Sequence, residues 1–249
     1  MDLSERSGSA ARRHPWETAR LQAIRQIVGG LGLRAPRVLD VGAGDGYLIH
    51  ALHSALGFQQ SVAQDIHLTE SLARELSKPG VEFVRELSDP AYRAELILLL
   101  DVIEHVEAPV ALLEQLRRER LAPGGRMLIT VPAFQRLYTE HDRALKHFRR
   151  YSRAQLLAEV QSAGFEVLDS GYLFASLLLP RAAQALRERL LPKPGDAPAQ
   201  GIGAWQQSPF VTQLIHSGLV LDNRLCLAAS ERGLRVPGLT VWLTCKTSS

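Results

Sequence analysis

The sequence predicts an α/β protein built on a doubly wound sheet with a helical insertion before its last strand. Three observations carry that expectation. Short β-branched runs alternate with helix-period segments from residue 37 to residue 168. One of them, 96–100, is apolar throughout, as a strand covered on both faces must be. A turn with glycines at 42, 44 and 46 joins the first strand to a helix, the place where such folds bind nucleotides.

The elements follow in order. Residues 1–13 are rich in Ser, Gly and Arg and are expected to be disordered, leaving 14–249 as a single domain. A helix opens at Pro15, a residue tolerated in the first helical turn, repeats apolar positions at Leu21, Ile24, Ile27 and Val28, and stops at Gly29-Gly30. The whole N-terminal segment spans 14–30. Strands are expected at 37–41, 61–66, 81–84, 96–100, 126–131 and 165–168, with helices at 47–56, 109–120 and 152–163. Ser152 is the expected N-cap of the last of these and Gly164 its stop. From 172 to 237 the rhythm breaks into two helix-like stretches around a Pro/Gly linker at 193–203, read as a cap inserted before a final strand at 239–245.

Composition narrows the function classes. The chain has 249 residues, 46% hydrophobic and 22% charged, enough for a substantial core. A net charge of +3 over this length gives only a weak field for nucleic acid. The two cysteines, Cys226 and Cys245, form no CxxC pair and have no histidine at metal spacing, so neither a disulfide framework nor a metal site is expected. The longest apolar run, 173–179, falls far short of the roughly 20 residues of a membrane-spanning helix. A cytoplasmic protein is expected.

The glycine turn, Val38-Leu-Asp-Val-Gly-Ala-Gly-Asp-Gly46, is spaced GxGxG and carries Asp40 and Asp45. A dinucleotide site must cradle a pyrophosphate on backbone N–H groups, and a carboxylate at ~4 Å repels it by about 1 kcal/mol in water and several times more when partly buried. S-adenosylmethionine has no phosphate but carries a sulfonium and an ammonium, so an acidic loop attracts it. Asp65, nineteen residues beyond Gly46, can accept hydrogen bonds from both ribose hydroxyls, or is simply a solvated acid at a strand end. Asp101, Glu104 and His105 follow the buried fourth strand and should line the same crevice, with Asp101 also able to cap a helix.

The set VLDVGAGDG, Asp65, DVIEHV and LAPGGRMLITVP resembles the class I S-adenosylmethionine-dependent methyltransferases over roughly 36–170, and most of all their small-molecule, ubiquinone-biosynthesis-like branch. The resemblance implies a Rossmann-like, mostly parallel sheet of seven strands whose last strand is antiparallel. It implies that Asp40, Gly42, Ala43, Gly44 and Tyr47 lie by the methionine part of the donor and Asp65 with Ile66 by the ribose. Glu86 or Leu87 would lie beside adenine, and Asp101, Val102 and His105 complete the cofactor set. The segment His14 to Arg20 resembles a cofactor-covering helix of some members, which implicates Arg20. Its other reading is an amphipathic surface helix with a buried Trp16.

The run from Tyr138 to Tyr151 after the fifth strand is dense in polar groups, and family members carry a similar segment facing the acceptor. Here His141 is the candidate general base, Asp142 its orienting partner and His147 the reserve; the alternative is a solvated basic loop. The expected activity is O- or C-methylation of a small-molecule or lipid-like acceptor by direct in-line transfer. Leu177, Leu178, Leu179, Trp205 and Phe210 are candidates to line the acceptor pocket, or, with Arg181, Arg187 and Arg189, to touch a membrane surface. An RNA methyltransferase, suggested by Arg149-Arg150, and a non-catalytic nucleotide-binding protein are the alternatives. Against RNA, no Asn-Pro-Pro-Tyr-like motif follows the fourth strand.

Overall fold

The computed structural model describes residues 13–191, 205 and 207–248. The expected disordered start, apart from Arg13, and the linker at 193–203 lie outside the described residues.

The elements are α1 (Pro15–Gly29), β1 (Arg37–Val41), α2 (Tyr47–Leu56), β2 (Gln60–Gln64), α3 (Glu70–Leu76), β3 (Val81–Val84), β4 (Ala94–Leu100) and α4 (Pro109–Glu119). Then come β5 (Leu121–Pro132), α5 (Glu140–Ala144), α6 (Arg153–Ser162), β6 (Phe165–Leu173), α7 (Leu178–Leu190), α8 (Pro209–Glu231) and β7 (Thr240–Thr247). The seven strands form one sheet in the order β3-β2-β1-β4-β5-β7-β6. β1 to β5 pair in parallel, while β7 runs antiparallel between β5 and β6. The Rossmann-like sheet with an antiparallel last strand and a helical insertion before it is thus what the chain forms.

Alternation along the strands builds two cores. Val38, Leu96, Leu98, Leu128 and Trp242 face the side covered by α1, α2 and α8. Leu39, Ile97, Leu99, Met127, Ile129 and Leu243 face Leu113 and Leu116 of α4 and Leu156 and Val160 of α6. Successive side chains of a strand point to opposite faces, so a strand inside both cores must be apolar at every position. β4 shows this.

Some boundaries differ from expectation for local reasons. β5 starts at Leu121, opposite Ala94, then bulges through Pro123-Gly124-Gly125 before Arg126 pairs with Leu96. A bulge absorbs a turn-like sequence without ending the strand. β6 continues past Leu168 to Leu173, with a register shift between Val167 and Asp169. α3 and α5 span only 7 and 5 residues and were not foreseen. α1 begins as expected at Pro15, with His14 as N-cap in a capping box with Glu17.

β1 and β4 are neighbours in the sheet, but the chain leaves β1 toward β2 and β4 toward β5. Their carboxyl ends therefore splay into a crevice, the topological switch point at which open α/β sheets bind ligands.

Candidate active site

The glycine turn closes the floor of that crevice. Gly42, Gly44 and Gly46 have φ values of 72°, 57° and 76°, backbone that L side chains rarely adopt. At Gly42 a Cβ would stand 2.8 Å from Val102 Cγ2, so the turn packs directly on the residue following β4 and Asp101. The Gly42 and Ala43 N–H groups donate to the Gln64 carbonyl at 2.8 and 3.1 Å, tying the turn to the end of β2. That end delivers Asp65. Its Oδ2 accepts from the Gly44 N–H at 3.0 Å and its Oδ1 from the His67 N–H at 2.9 Å. A carboxylate has about four acceptor positions, so each oxygen retains capacity for a hydroxyl donor.

Helix α1 forms the lid. Arg13 pairs with Asp45 at 2.6 Å and lies over the Tyr47 ring at 4.1 Å. One helical turn beyond Trp16, the buried Arg20 reaches Asp101 at 2.8 Å and Thr130 Oγ1 at 3.3 Å, and Thr130 donates to Asp101 at 2.9 Å. The Arg20 Nε is buried with no hydrogen-bond partner. Between α1 and the turn, Trp16, Arg20, Ala43, Asp45, Tyr47 and Leu48 line a space of about 20 Å³. That enclosed space holds about one water. Below it lies Asp40, 2% exposed. Burial pushes its carboxyl up to about 7, with Arg20 opposing and Asp65 adding to the rise.

A second constellation borders the crevice beyond β5. Asp142, fully buried, accepts from the Thr139 N–H (2.9 Å) and hydroxyl (3.2 Å), His147 Nδ1 (3.0 Å), Arg150 Nε (2.7 Å) and Arg181 of α7 (3.1 Å). Burial opposes ionisation, but the His147 and Arg150 hydrogen bonds win and hold this carboxyl well below the usual carboxylate range. The carboxylate expected to orient His141 thus bonds to His147. His141 is half-buried, and burial followed by the Arg181 charge lowers its pKa. His147 packs edge-on against His105, ring centroids 4.6 Å apart. Glu104, in the 3-10 turn Ile103–His105, is completely buried, and neither of its oxygens has a hydrogen-bond partner. Burial, then repulsion from Asp101, pushes its carboxyl well above the usual range.

Backbone strain collects at the same end of the sheet. Asp101 after β4, Phe134 after β5 and Phe174 after β6 all have φ of 62°. Each such residue costs of order 1 kcal/mol or more and persists only where its surroundings enforce it, which is commonest at functional sites.

The structure gathers Asp40, Gly42, Ala43, Gly44, Tyr47, Asp65, Asp101, Val102 and Arg20 around one crevice. Ile66 stands at its rim, 64% exposed beside Asp65. Glu86 is exposed, while Leu87 is half-buried against the second core with its carbonyl bound by Arg120. The pocket-lining leucines behave differently from one another. Leu177 packs on the first core, whereas Leu179 and Phe210 are 79% and 77% exposed. Trp205 meets the His14 ring at 4.6 Å and donates to Thr212. Sequence reasoning missed Thr130 and Arg13, whose roles arise only from contacts across the sheet, and gave Glu104 no role beyond lining. A larger groove of about 460 Å³ between α1, α2 and α8, bordered by Arg25 and Arg224, contains none of the strand-end carboxylates. Among the described residues no helix is long and apolar enough to cross a membrane.

Residues 12–170 match the family model described as a methyltransferase domain. No curated protein matches the chain. Among solved structures, a SAM-dependent methyltransferase from Archaeoglobus fulgidus is similar at 19% identity and a TM-score of 0.55, covering 93% of each chain. An S-adenosylmethionine-dependent methyltransferase from Mesorhizobium loti aligns with 90% of this chain and 99% of its own, at 14% identity and a TM-score of 0.52. The [4+2]-cyclase SpnF aligns with 98% of this chain and 84% of its own, at 17% identity and a TM-score of 0.56. At such identities these likenesses establish a shared fold, and the cyclase shows that the fold serves more than one reaction.

Proposed function

Because the chain belongs to the methyltransferase-domain family, and so is an S-adenosylmethionine-dependent methyltransferase, we propose that its acceptor is a small or lipid-like molecule, methylated on oxygen or carbon by direct in-line transfer. The glycine turn suits the cationic donor. The turn carries the carboxyl groups of Asp40 and Asp45 and meets that of Asp65 from the end of β2, and Gly42 leaves no Cβ between the strand end and Val102.

Asp65 is placed to accept from the ribose hydroxyls, with Ile66 beside it. Asp40 and the backbone of Gly42, Ala43 and Gly44 would face the methionine part, with Tyr47. Arg20, now paired to Asp101, is the cation available to a carboxylate once α1 moves, and Leu87 or Glu86 is the remaining candidate beside adenine. The bound donor supplies a methyl group on a good leaving group, so the chain's main task is alignment. Where the acceptor must lose a proton, His147 takes the role first assigned to His141. Asp142 holds its Nδ1 and leaves Nε2 to act as base.

The acceptor class rests on one observation above the rest. α7, anchored to the crevice by Arg181 on Asp142, exposes Leu179, Leu186 and Leu190 along one face. α8 exposes Phe210, Leu214, Leu221 and Leu225 in the same manner. Leucine stripes flanked by arginines suit an apolar acceptor or the surface that carries it. The test is methyl transfer from labelled donor to phenolic, lipid and RNA acceptors, alongside thermal shift with S-adenosylhomocysteine and NAD. Stabilisation by S-adenosylhomocysteine with labelling of apolar acceptors is expected. Labelling confined to RNA, with salt-sensitive binding, would overturn the acceptor class.

A further inference from the structure

Helix α8 carries two faces, and the fold accounts for one of them. Leu219, Val220, Asn223, Cys226, Leu227 and Ser230 are buried against the rest of the chain. A helix advances about 100° per residue, so Phe210, Leu214, Leu221 and Leu225 fall together on the opposite side. Those four side chains are between 58% and 77% exposed. They leave on the order of 500 Å² of surface in water, over half of the roughly 800 Å² that each partner gives to a standard interface.

Their spacing is symmetric. Positions 214 and 221, and positions 210 and 225, are equidistant from a point between Ser217 and Gly218. At about 1.5 Å per residue, the inner two stand about 5 Å and the outer two about 11 Å along the helix from that point. Turned end for end about a two-fold axis through it, the stripe meets itself: Leu214 of one copy lies opposite Leu221 of the other, and Phe210 opposite Leu225. Small side chains occupy the crossing point, where the axes of two packed helices approach to about 8–10 Å. Glycine weakens the middle of a helix, and a Cβ at Gly218 would meet nothing within 4 Å, so the chain's own packing gives no reason for it. A second helix crossing there does.

Charge selects among the surfaces that could cover such a stripe. From Pro209 to Ser230, α8 contains one acid and one arginine, Asp222 and Arg224. The Asp222 carboxylate is held by the Ser176 N–H and hydroxyl at 3.0 and 2.6 Å. A helix that lies on an anionic membrane is basic along its polar face. α7 has that character, with Arg181, Arg187 and Arg189 against Glu188. α8 is close to neutral, as the centre of an interface between protein copies is.

We propose that a second copy of this chain docks antiparallel along α8, giving a two-fold symmetric dimer with Ser217 and Gly218 at its axis. The acceptor reading keeps the α7 stripe, which Arg181 ties to the crevice, and dimerisation stands apart from it. A dimer also reaches the donor side. His216 of α8 bonds to Thr18 and Gln22 of α1 at 2.8 and 3.1 Å, so pairing two α8 helices sets both lids on one shared frame.

Sedimentation velocity of the full-length chain, from about 1 to about 100 µM, reads the association directly. A reversible dimer is expected. Leu214→Glu and Leu221→Glu place a carboxylate in the middle of the apolar contact and should each weaken dimerisation at least tenfold. Both side chains are exposed, so the variants should keep the wild-type circular dichroism. Leu186→Glu, the same change on α7, should leave the dimer unaltered. Disulfide trapping reads the register. Cys226 and Cys245 are buried, so on mild oxidation Ser217→Cys should cross-link to its own copy. A mixture of Leu214→Cys with Leu221→Cys should cross-link faster than either variant alone. A wild-type chain that stays monomeric throughout, a dimer indifferent to both glutamates, or faster cross-linking of Leu214→Cys to itself would overturn the proposal. So would a monomer that binds phosphatidylglycerol vesicles and loses them in Leu214→Glu, which would make the stripe a membrane contact.

Discussion

Asp40 offers a measurement in which fold stability and donor binding pull against each other. Its carboxyl lies under the glycine turn, 2% exposed, and is pushed up to about 7 from an unfolded value of about 3.9. A raised folded pKa means that folding favours the protonated form. The stabilisation is complete below about pH 4, declines as pH rises and is gone once pH passes the folded value near 7. Each pKa unit corresponds to 1.36 kcal/mol, so the whole penalty is about 4 kcal/mol, of which about 2.6 kcal/mol accrues between pH 5 and pH 8. Asn has nearly the same shape and does not ionise. Asp40→Asn should therefore gain about 2.6 kcal/mol relative to the wild type between those two pH values, whatever fixed cost of about 1–3 kcal/mol its amide incurs in that pocket. Urea unfolding of both proteins at pH 5 and pH 8 without ligand gives the difference directly. On the donor placement proposed above, the same substitution removes a charge facing the cationic donor, so S-adenosylhomocysteine and sinefungin should bind less tightly, the cationic analogue losing more. Binding to the wild type should release protons near pH 6, visible as a buffer-dependent heat in calorimetry. A stability difference that does not move between pH 5 and pH 8 would refute the reasoning, because burial alone is what perturbs this group most.

Three further outcomes follow from the site. Asp65→Ala should lose most of the stabilisation by S-adenosylhomocysteine, with about 100-fold weaker binding from the two lost hydroxyl contacts at roughly 1–1.5 kcal/mol each, as read by calorimetry. Gly42→Ala places a methyl 2.8 Å from Val102 at a φ of 72° and should cost about 1–3 kcal/mol of stability in urea unfolding. Gly42→Ala with Val102→Ala should recover the share due to collision and leave the share due to backbone strain. His147→Gln should lower kcat on hydroxyl acceptors about 100-fold or more, while His141→Gln should change it less than tenfold; equal effects would return Asp142 to its first-assigned partner.

Why the sequence led to His141 is a matter of geometry. Adjacent residues suggested a base and its orienting acid, but on a helix neighbours point about 100° apart. Asp142 occupies the N3 position of α5, where its carboxylate turns back to cap Thr139. The chain then passes Lys146 at a φ of 58°, which brings His147 round onto the same carboxylate. No linear pattern encodes that reversal. The glycine turn and Asp65 were legible because strand, turn and helix are consecutive and the next strand end is fixed by sheet geometry. The alternating core was legible for the same local reason, from β-branched runs and the unbroken β4. α3 and α5 escaped notice because neither is long enough to show a helical period.

Arg20 and Asp101 show where legibility stops. Each was named separately, Arg20 by resemblance and Asp101 by its place after β4, but their 2.8 Å pair joins residues far apart in the chain across a lid and a strand end. That pair carries a functional consequence the sequence could not supply. With α1 down, the space at the turn holds about one water, and the cation that would meet a donor carboxylate is already engaged. On the donor placement proposed above, binding exchanges one carboxylate partner of Arg20 for another, and the pair with Asp101 competes with the ligand. Asp101→Asn removes the competing charge and leaves a side chain that tolerates φ of 62°. It should free α1 and tighten donor binding about two- to tenfold through faster association, seen in stopped-flow kinetics. A slower association in Asp101→Asn would mean that the pair holds Arg20 ready for the ligand rather than withholding it.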